Sequence, residues 1–234
     1  EYVAFLDSDD YVEKTMYEEM YNLGKKENAD MVECDFVWEY PNKKREDIGE
    51  IYNSKKEMIE KGHVVAWNKL IKREILEKTN IKFPVGLRYE DMEFFYKLIP
   101  YINKVSFVKK CMVHYVQRAD SIANTQNSRT KEIFTILDNV ITYYKEKNLY
   151  DEYKEELEYI YVKFLLCSSL KRMCKIADKN ERKQAQSETW ENINKNFPEW
   201  RKNPILKKKN LKNLYIKSNN KITFKIYCFF LHLL

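Results

Sequence analysis

Residues 2–6 (YVAFL) form a short unbroken apolar run that stops at Asp7-Ser8-Asp9-Asp10. A run of that length without alternation predicts a strand buried on both faces. Val12, Met16, Met20 and Leu23 then recur at helical spacing. Asp10 followed by Glu13 has the form of a capping box, so a helix is expected from about Tyr11, with Asp10 as its cap. Residues 30–37 (DMVECDFV) read as a second strand and 41–49 as a polar turn. A short helix is expected over 55–61 and a better one over 67–78, where Leu70, Ile71 and Ile75 share a side. The residue before Pro84 avoids the helical region, which makes 81–84 extended, and Gly86 supplies a turn. Met92, Phe95, Ile99 and Ile102 are in helical phase over 90–102, with Pro100 ending or kinking that helix. Residues 105–108 and 112–117 look like two further strands.

After about residue 124 the pattern turns wholly helical, with helices expected over 128–148, 150–177 and 179–196. Leu157, Ile160, Tyr161, Phe164, Leu165 and Cys167 make a wide apolar stripe, a packing face that suits a bundle, an acceptor-side cover or a homo-oligomer contact. The chain therefore reads as a mixed α/β segment over 1–124, a helical region over 125–199 and a basic tail with an apolar last helix over 200–234. Only 4 Gly and 5 Pro occur in 234 residues, which disfavours a turn-rich sandwich. With 44% apolar residues the chain is globular rather than disordered.

Charge changes the picture locally. The net charge is +6, yet no Asp or Glu follows Trp200, while nine Lys and Arg do. The rest of the chain is thus mildly acidic, and its basic character is not spread over a domain with interleaved aromatics, which argues against nucleic acid as a partner. Residues 222–234 (ITFKIYCFFLHLL) follow this Lys-rich stretch. They are too few to span a bilayer, and they suit either an anionic membrane surface or a helix docked on the bundle. Five scattered cysteines, none in a CxxC pair, fit a reducing cytosol, and so a cytoplasmic protein, peripheral on the inner face of the cell membrane if the tail binds there. Cys167 and Cys174, one heptad apart, read as two buried small hydrophobes.

The candidate chemistry starts at the end of the first strand. Asp7 and Asp9 flank one residue, and in an extended stretch both side chains point the same way. Two convergent carboxylates repel unless a cation lies between them, and hard oxygen ligands suit Mg²⁺ or Mn²⁺. The plainer alternative is that these acids only complement a helix N-terminus.

YVAFLDSDDYVEKTMYEEM, AWNKLIKREIL, IKFPVGLRYEDMEFFYKLI and VHYVQRADSIA, in that order over 1–123, resemble the family-2 glycosyltransferases. That resemblance implies a GT-A fold, with a nucleotide-binding α/β sandwich and a mostly parallel sheet. Here it would be a partial, mixed sheet with flanking helices, followed by an all-α C-terminal region. It implies a metal-dependent, inverting transfer of sugar from a nucleotide-diphosphate donor to a glycan or lipid-linked acceptor, as in cell-envelope polysaccharide synthesis. Carried over by position, Asp7 and Asp9 hold Mn²⁺ or Mg²⁺ on the donor diphosphate. Asp91 is the general base and Glu90 orients it or contacts the acceptor. Trp67, Asn68, Lys69, Arg88 and Arg118 form the substrate-binding set, with Trp67 lining the cleft and Lys69 reaching a phosphate. His114 completes the metal shell. The alternatives are core packing for Trp67 and His114, and helix N-terminal complementation for Glu90 and Asp91.

The family's opening strand, Tyr-Asn turn and ribose-binding acid are not in this sequence, which opens directly on a strand without Met. The expectation is a chain that lacks the N-terminal nucleotide-binding half and that by itself neither binds donor tightly nor turns over. The alternative is a truncated, non-catalytic binding or interaction protein derived from such an enzyme.

Overall fold

The computed structural model describes residues 1–118 and 125–233. They fall into two compact units, one of Glu1–Val85 with Glu90–Asn124, the other of Gly86–Tyr89 with Thr125–Leu234. Residues 200 onward belong to the second unit and are not a separate tail.

The first unit is built on six strands: β1 (Tyr2–Ala4), β2 (Tyr11–Val12), β3 (Met31–Tyr40), β4 (Lys43–Asp47), β5 (Lys69–Lys72) and β6 (Val105–Val116). Their order is β1-β5-β3-β6-β2, with β4 pairing the far half of β3. Among these strands only β3 and β6 run parallel, the other pairs being antiparallel. The sheet is therefore mixed, as expected: β4 returns from β3 by a hairpin, while β1, β2 and β5 pair antiparallel with strands distant in sequence. Successive side chains of β3 point to opposite faces. Val32, Cys34 and Phe36 pack with Met16 and Met20 of α1 (Met16–Glu27). Glu33 and Asp35 are buried on the other face.

Four local expectations are corrected, each by tertiary pairing. Tyr11 and Val12 pair with His114 and Val113, so α1 begins at Met16 with Thr15 before it. Residues 69–72 are the strand β5, because sheet hydrogen bonding to β1 and β3 outweighs a weak helical preference, and only Arg73–Thr79 are helical (α3). Residues 105–116 are one strand with a bulge, at which Val108 faces Cys34 and Cys111 faces Asp35. The polar stretch after Pro41 forms β4.

The helices α2 (Lys55–Lys61) and α4 (Glu90–Leu98) complete the first unit. Ser54 caps α2, accepting from the Glu57 amide. Pro100 lies in a 3₁₀ turn, Ile99–Tyr101, that follows α4. Gly86 holds φ +78°, a left-handed conformation that favours glycine.

The second unit is helical: α5 (Glu132–Glu146), α6 (Tyr150–Phe164), α7 (Leu170–Met173), α8 (Lys179–Asn196), α9 (Leu211–Ser218) and α10 (Lys221–Leu233). A π-helical stretch, Leu165–Ser169, joins α6 to α7. Leu157, Ile160, Tyr161 and Leu165 are buried, as an apolar stripe requires, and Trp200 is wholly buried. Cys174 is buried, whereas Cys167 is only partly so. No helix among the described residues is long and apolar enough to cross a membrane.

Candidate functional site

The acidic turn after β1 is placed by aromatic packing. Phe5, two residues before Asp7, meets Phe83 and Phe94 edge to face, with ring centroids 5.1 and 5.5 Å away. Phe83 and Phe94 stack on each other at 4.1 Å. Phe94 lies on α4 one turn after Asp91, so this cluster draws the Asp7–Asp10 turn towards the start of α4. The turn is closed by the Asp10 amide donating to the Asp7 carbonyl at 3.2 Å. Phe5 lies in the first of the four sequence blocks and Phe83 and Phe94 in the third, but no local pattern signals that the three rings meet.

Electrostatics records the resulting proximity. The Asp7 carboxyl is raised above the usual carboxylate range, first by desolvation and then by the fields of Asp9 and Glu90. Asp91 is pushed up to about 6, chiefly by burial and further by Glu90 and Asp7. The amide of Ala66 donates to Asp91 Oδ2 at 3.1 Å and Lys69 adds an opposite charge, both of which pull the other way. Asp7, Asp9, Glu90 and Asp91 therefore share one acidic region in the first unit, although more than eighty positions separate the two pairs in sequence. Asp7, Asp9 and Glu90 are exposed, and Asp91 is partly buried.

Asp10 does not cap a helix. Its Oδ1 accepts from the Val116 amide at 2.9 Å, which ties the turn to the end of β6, while Oδ2 is buried without a partner. Burial, then Asp9 and Asp7, raise its carboxyl to about 6. Arg118 lies beside the same turn and donates to the Asp9 carbonyl at 3.3 Å.

The W-N-K block has a supporting role, which corrects its assignment to substrate contact. Lys69 is 1% exposed. Its ammonium donates to the carbonyls of His63 and Val65 and to Asn68 Oδ1, at 2.6, 2.7 and 2.8 Å. Glu33 Oε1 lies 3.7 Å away, and the Phe95 ring centroid 4.7 Å. With its donors directed inward, Lys69 does not reach a phosphate. Burial pulls its ammonium below the usual lysine range, although Glu33 and Asp91 push upward. Asn68 is fully buried and donates to the Cys34 carbonyl at 2.8 Å. Trp67 is buried in the α1-side core against Phe36, with centroids 4.7 Å apart. Together these residues fix residues 63–68, and hence the Ala66 amide that holds Asp91.

His114 is also committed elsewhere. Its ring stacks on Tyr11 at 4.3 Å, and its two nitrogens lie 3.0 Å from Glu39 and 2.9 Å from Glu13. Neither nitrogen is free to bind a cation in this arrangement. Arg88 belongs to the second unit, where its amide donates to Glu132 and its guanidinium to the Thr125 carbonyl. Ser121 and Ile122, part of the fourth sequence block, lie outside the described residues.

Among the described residues no group of three or more His, Cys, Asp or Glu side chains is arranged to hold a metal ion. The donor chemistry still fits a hard cation of one kind. Magnesium-type ions take one or two carboxylates and fill the rest of their shell with phosphate oxygens and water, rather than sitting in an all-protein cage. Asp7 and Asp9 offer that minimal oxygen set, with mutual repulsion that a cation would relieve.

No family model matches the chain. It is 27% identical over 172 residues to a Bacillus subtilis protein, EpsH, named as a glycosyltransferase, over 68% of this chain and 50% of that protein. It is 29% identical over 193 residues to the cholesterol galactosyltransferase of Borreliella burgdorferi, over 74% of this chain and 53% of that protein. The chain spans about half the length of these relatives. In structure it resembles S. aureus TarS, solved with UDP-GlcNAc, at a TM-score of 0.51 and 15% identity, over 92% of this chain and 54% of that one. The TarS likeness bears on the fold, a mixed sheet with flanking helices and a helical C-terminal region. The two relatives support a glycosyltransferase.

Proposed function

We propose that the first unit carries the diphosphate-facing and acceptor-facing part of a sugar-transfer site of the family-2, GT-A type. The observation that carries this reading is the packing of Phe5 on Phe83 and Phe94, which sets the Asp7–Asp10 turn beside the start of α4, where Glu90 and Asp91 lie. TarS holds UDP-GlcNAc, which supports a nucleotide-diphosphate sugar as donor here. One relative is named for a sterol acceptor, which supports a lipid or lipid-linked acceptor.

Asp7 and Asp9 would hold Mn²⁺ or Mg²⁺ against the donor diphosphate. Such an ion stabilises the negative charge that grows on the departing phosphate oxygen. Asp91 accepts the proton of the acceptor hydroxyl as that oxygen bonds to the anomeric carbon. The bond from that carbon to the phosphate oxygen breaks, and the nucleoside diphosphate leaves with the electron pair. Attack on the face opposite the leaving group inverts the anomeric centre. The Ala66 amide keeps Asp91 aimed, and its partial burial matches its affinity for protons to the task. Glu90, exposed one residue earlier, contacts the acceptor.

Calorimetry tests the metal half directly. This chain is expected to bind a UDP-sugar only with Mn²⁺ present, and more weakly than micromolar, because none of the described residues is assigned to the nucleotide base. Loss of even an outer hydrogen-bond partner of a metal ligand lowers metal affinity about 10–100-fold. The Asp7→Asn/Asp9→Asn variant is therefore expected to lower Mn²⁺-dependent binding by at least that much. Equal binding with and without Mn²⁺, or an unaffected variant, rejects the assignment.

A further inference from the structure

Helix α10 has two apolar faces, and only one is used by the fold. Phe224 and Cys228 point into the second unit and are buried. Ile222, Ile226, Phe229, Phe230 and Leu233 recur at i, i+4, i+7, i+8 and i+11, which places them in one stripe on the opposite side of the helix. All five are exposed, from 46% to 72%. A continuous stripe of large apolar side chains is not ordinary surface scatter.

The flank of that stripe is basic. At 100° per residue Lys221 and Lys225 fall between the buried face and the exposed stripe. They line a cleft of about 790 Å³ whose other wall is α8. From α8, Lys179 and Lys183 reach the same cleft, with Arg182 between them. Arg182 is partly engaged, since it donates to the carbonyls of Ile176 and Ala177. Trp190, Phe224 and Phe229 supply the apolar lining. Glu191 is the one acid among the lining residues, so the cleft is strongly positive. Nor does any acid follow Trp200 in sequence to offset these lysines.

A positive cleft with aromatic lining, opening beside an exposed apolar helix face, has the layout of a surface for anionic lipid. Apolar side chains enter the acyl boundary while lysines meet headgroup phosphates. We propose that the second unit docks on an anionic phospholipid bilayer through the outer face of α10, with headgroup phosphate held in the cleft between α8 and α10. This stands independently of the sugar-transfer reading, because every residue it uses lies in the second unit.

Vesicle flotation of the full chain tests it. The chain is expected to float with phosphatidylcholine vesicles that contain phosphatidylglycerol, and not with phosphatidylcholine alone. Phe229→Ser/Phe230→Ser, Lys221→Glu/Lys225→Glu and Lys179→Glu/Lys183→Glu should each lower partition by at least about tenfold. All six residues are at least partly exposed, and circular dichroism checks that each variant is folded. Three outcomes overturn the proposal: no flotation with the anionic vesicles, equal flotation with neutral ones, or unchanged flotation of any of the three variants. Two further measurements do so as well. One is sedimentation showing that the phenylalanines close a dimer of this chain. The other is calorimetry in which inorganic phosphate alone binds as well as the vesicles do.

Discussion

Asp91→Asn is expected to lower sugar transfer about 10²–10⁴-fold, the range for loss of a general base, with donor affinity unchanged. The pH profile supplies the sign. Asp91 serves as a base only when ionised, and its carboxyl is raised to about 6. The rate should therefore fall as pH drops through about 6 and level off above it. That acid limb should be missing from the residual activity of the variant. Stability should move the opposite way. A carboxyl raised in the folded state binds protons that the unfolded chain has already released, between the usual carboxylate range and about 6. Ionisation across that window thus opposes folding. Asp91→Asn removes that opposition, so the inactive variant should melt no lower than wild type at neutral pH. Asp10, raised to about 6 as well, keeps part of the pH dependence of stability in both proteins. A variant with full activity would remove Asp91 from the chemistry. One that is inactive and melts well below wild type would make it structural.

Lys69→Ala is expected to destabilise the first unit by about 3–5 kcal/mol, the range for breaking a buried ion pair from one side. Three acceptors that Lys69 now satisfies would lose their donor: the carbonyls of His63 and Val65, and Asn68 Oδ1. Glu33, wholly buried, would keep its Tyr52 hydroxyl at 3.0 Å but lose the only cation paired with it among the described residues. Alanine also leaves a cavity beside Phe95. Chemical denaturation measures the loss. Lys69→Ala/Glu33→Gln should recover part of it, since the stranded charge is gone. A loss under about 1 kcal/mol would mean that the ammonium contributes no more than a surface pair. Any effect on transfer beyond the folded fraction should appear as an acid limb moved to higher pH, because Lys69 acts on Asp91 through its charge as well as through the loop that carries Ala66.

Much was legible along the chain. Short-range patterns gave α2 at its observed bounds, the Gly86 turn, the shift to helices after residue 124, and the buried stripe of α6. These depend on neighbours a few residues apart, whose geometry the chain itself sets. The acidic pairs stood out as candidates, because convergent carboxylates repel unless a cation or a helix N-terminus offsets them, but their proximity did not.

Other features depended on distant partners. Residues 69–72 have a helical pattern but pair with β1 and β3, and residues 11–12 are held by β6 before α1 can start. Hydrogen-bond donors in β1 and β3 were satisfied at the expense of a small local preference. The use of Lys69 as an internal clamp was invisible for the same reason: a lysine in sequence carries no sign of its burial. The sequence by itself determined the helices whose packing pattern is local, such as α2 and α6, and which residue types were available for chemistry. Only the tertiary structure decided that Phe5, Phe83 and Phe94 bring Asp7 and Asp91 into one field, and that α10 keeps an apolar face outside. Both follow from packing between segments far apart in sequence, which the local pattern does not encode.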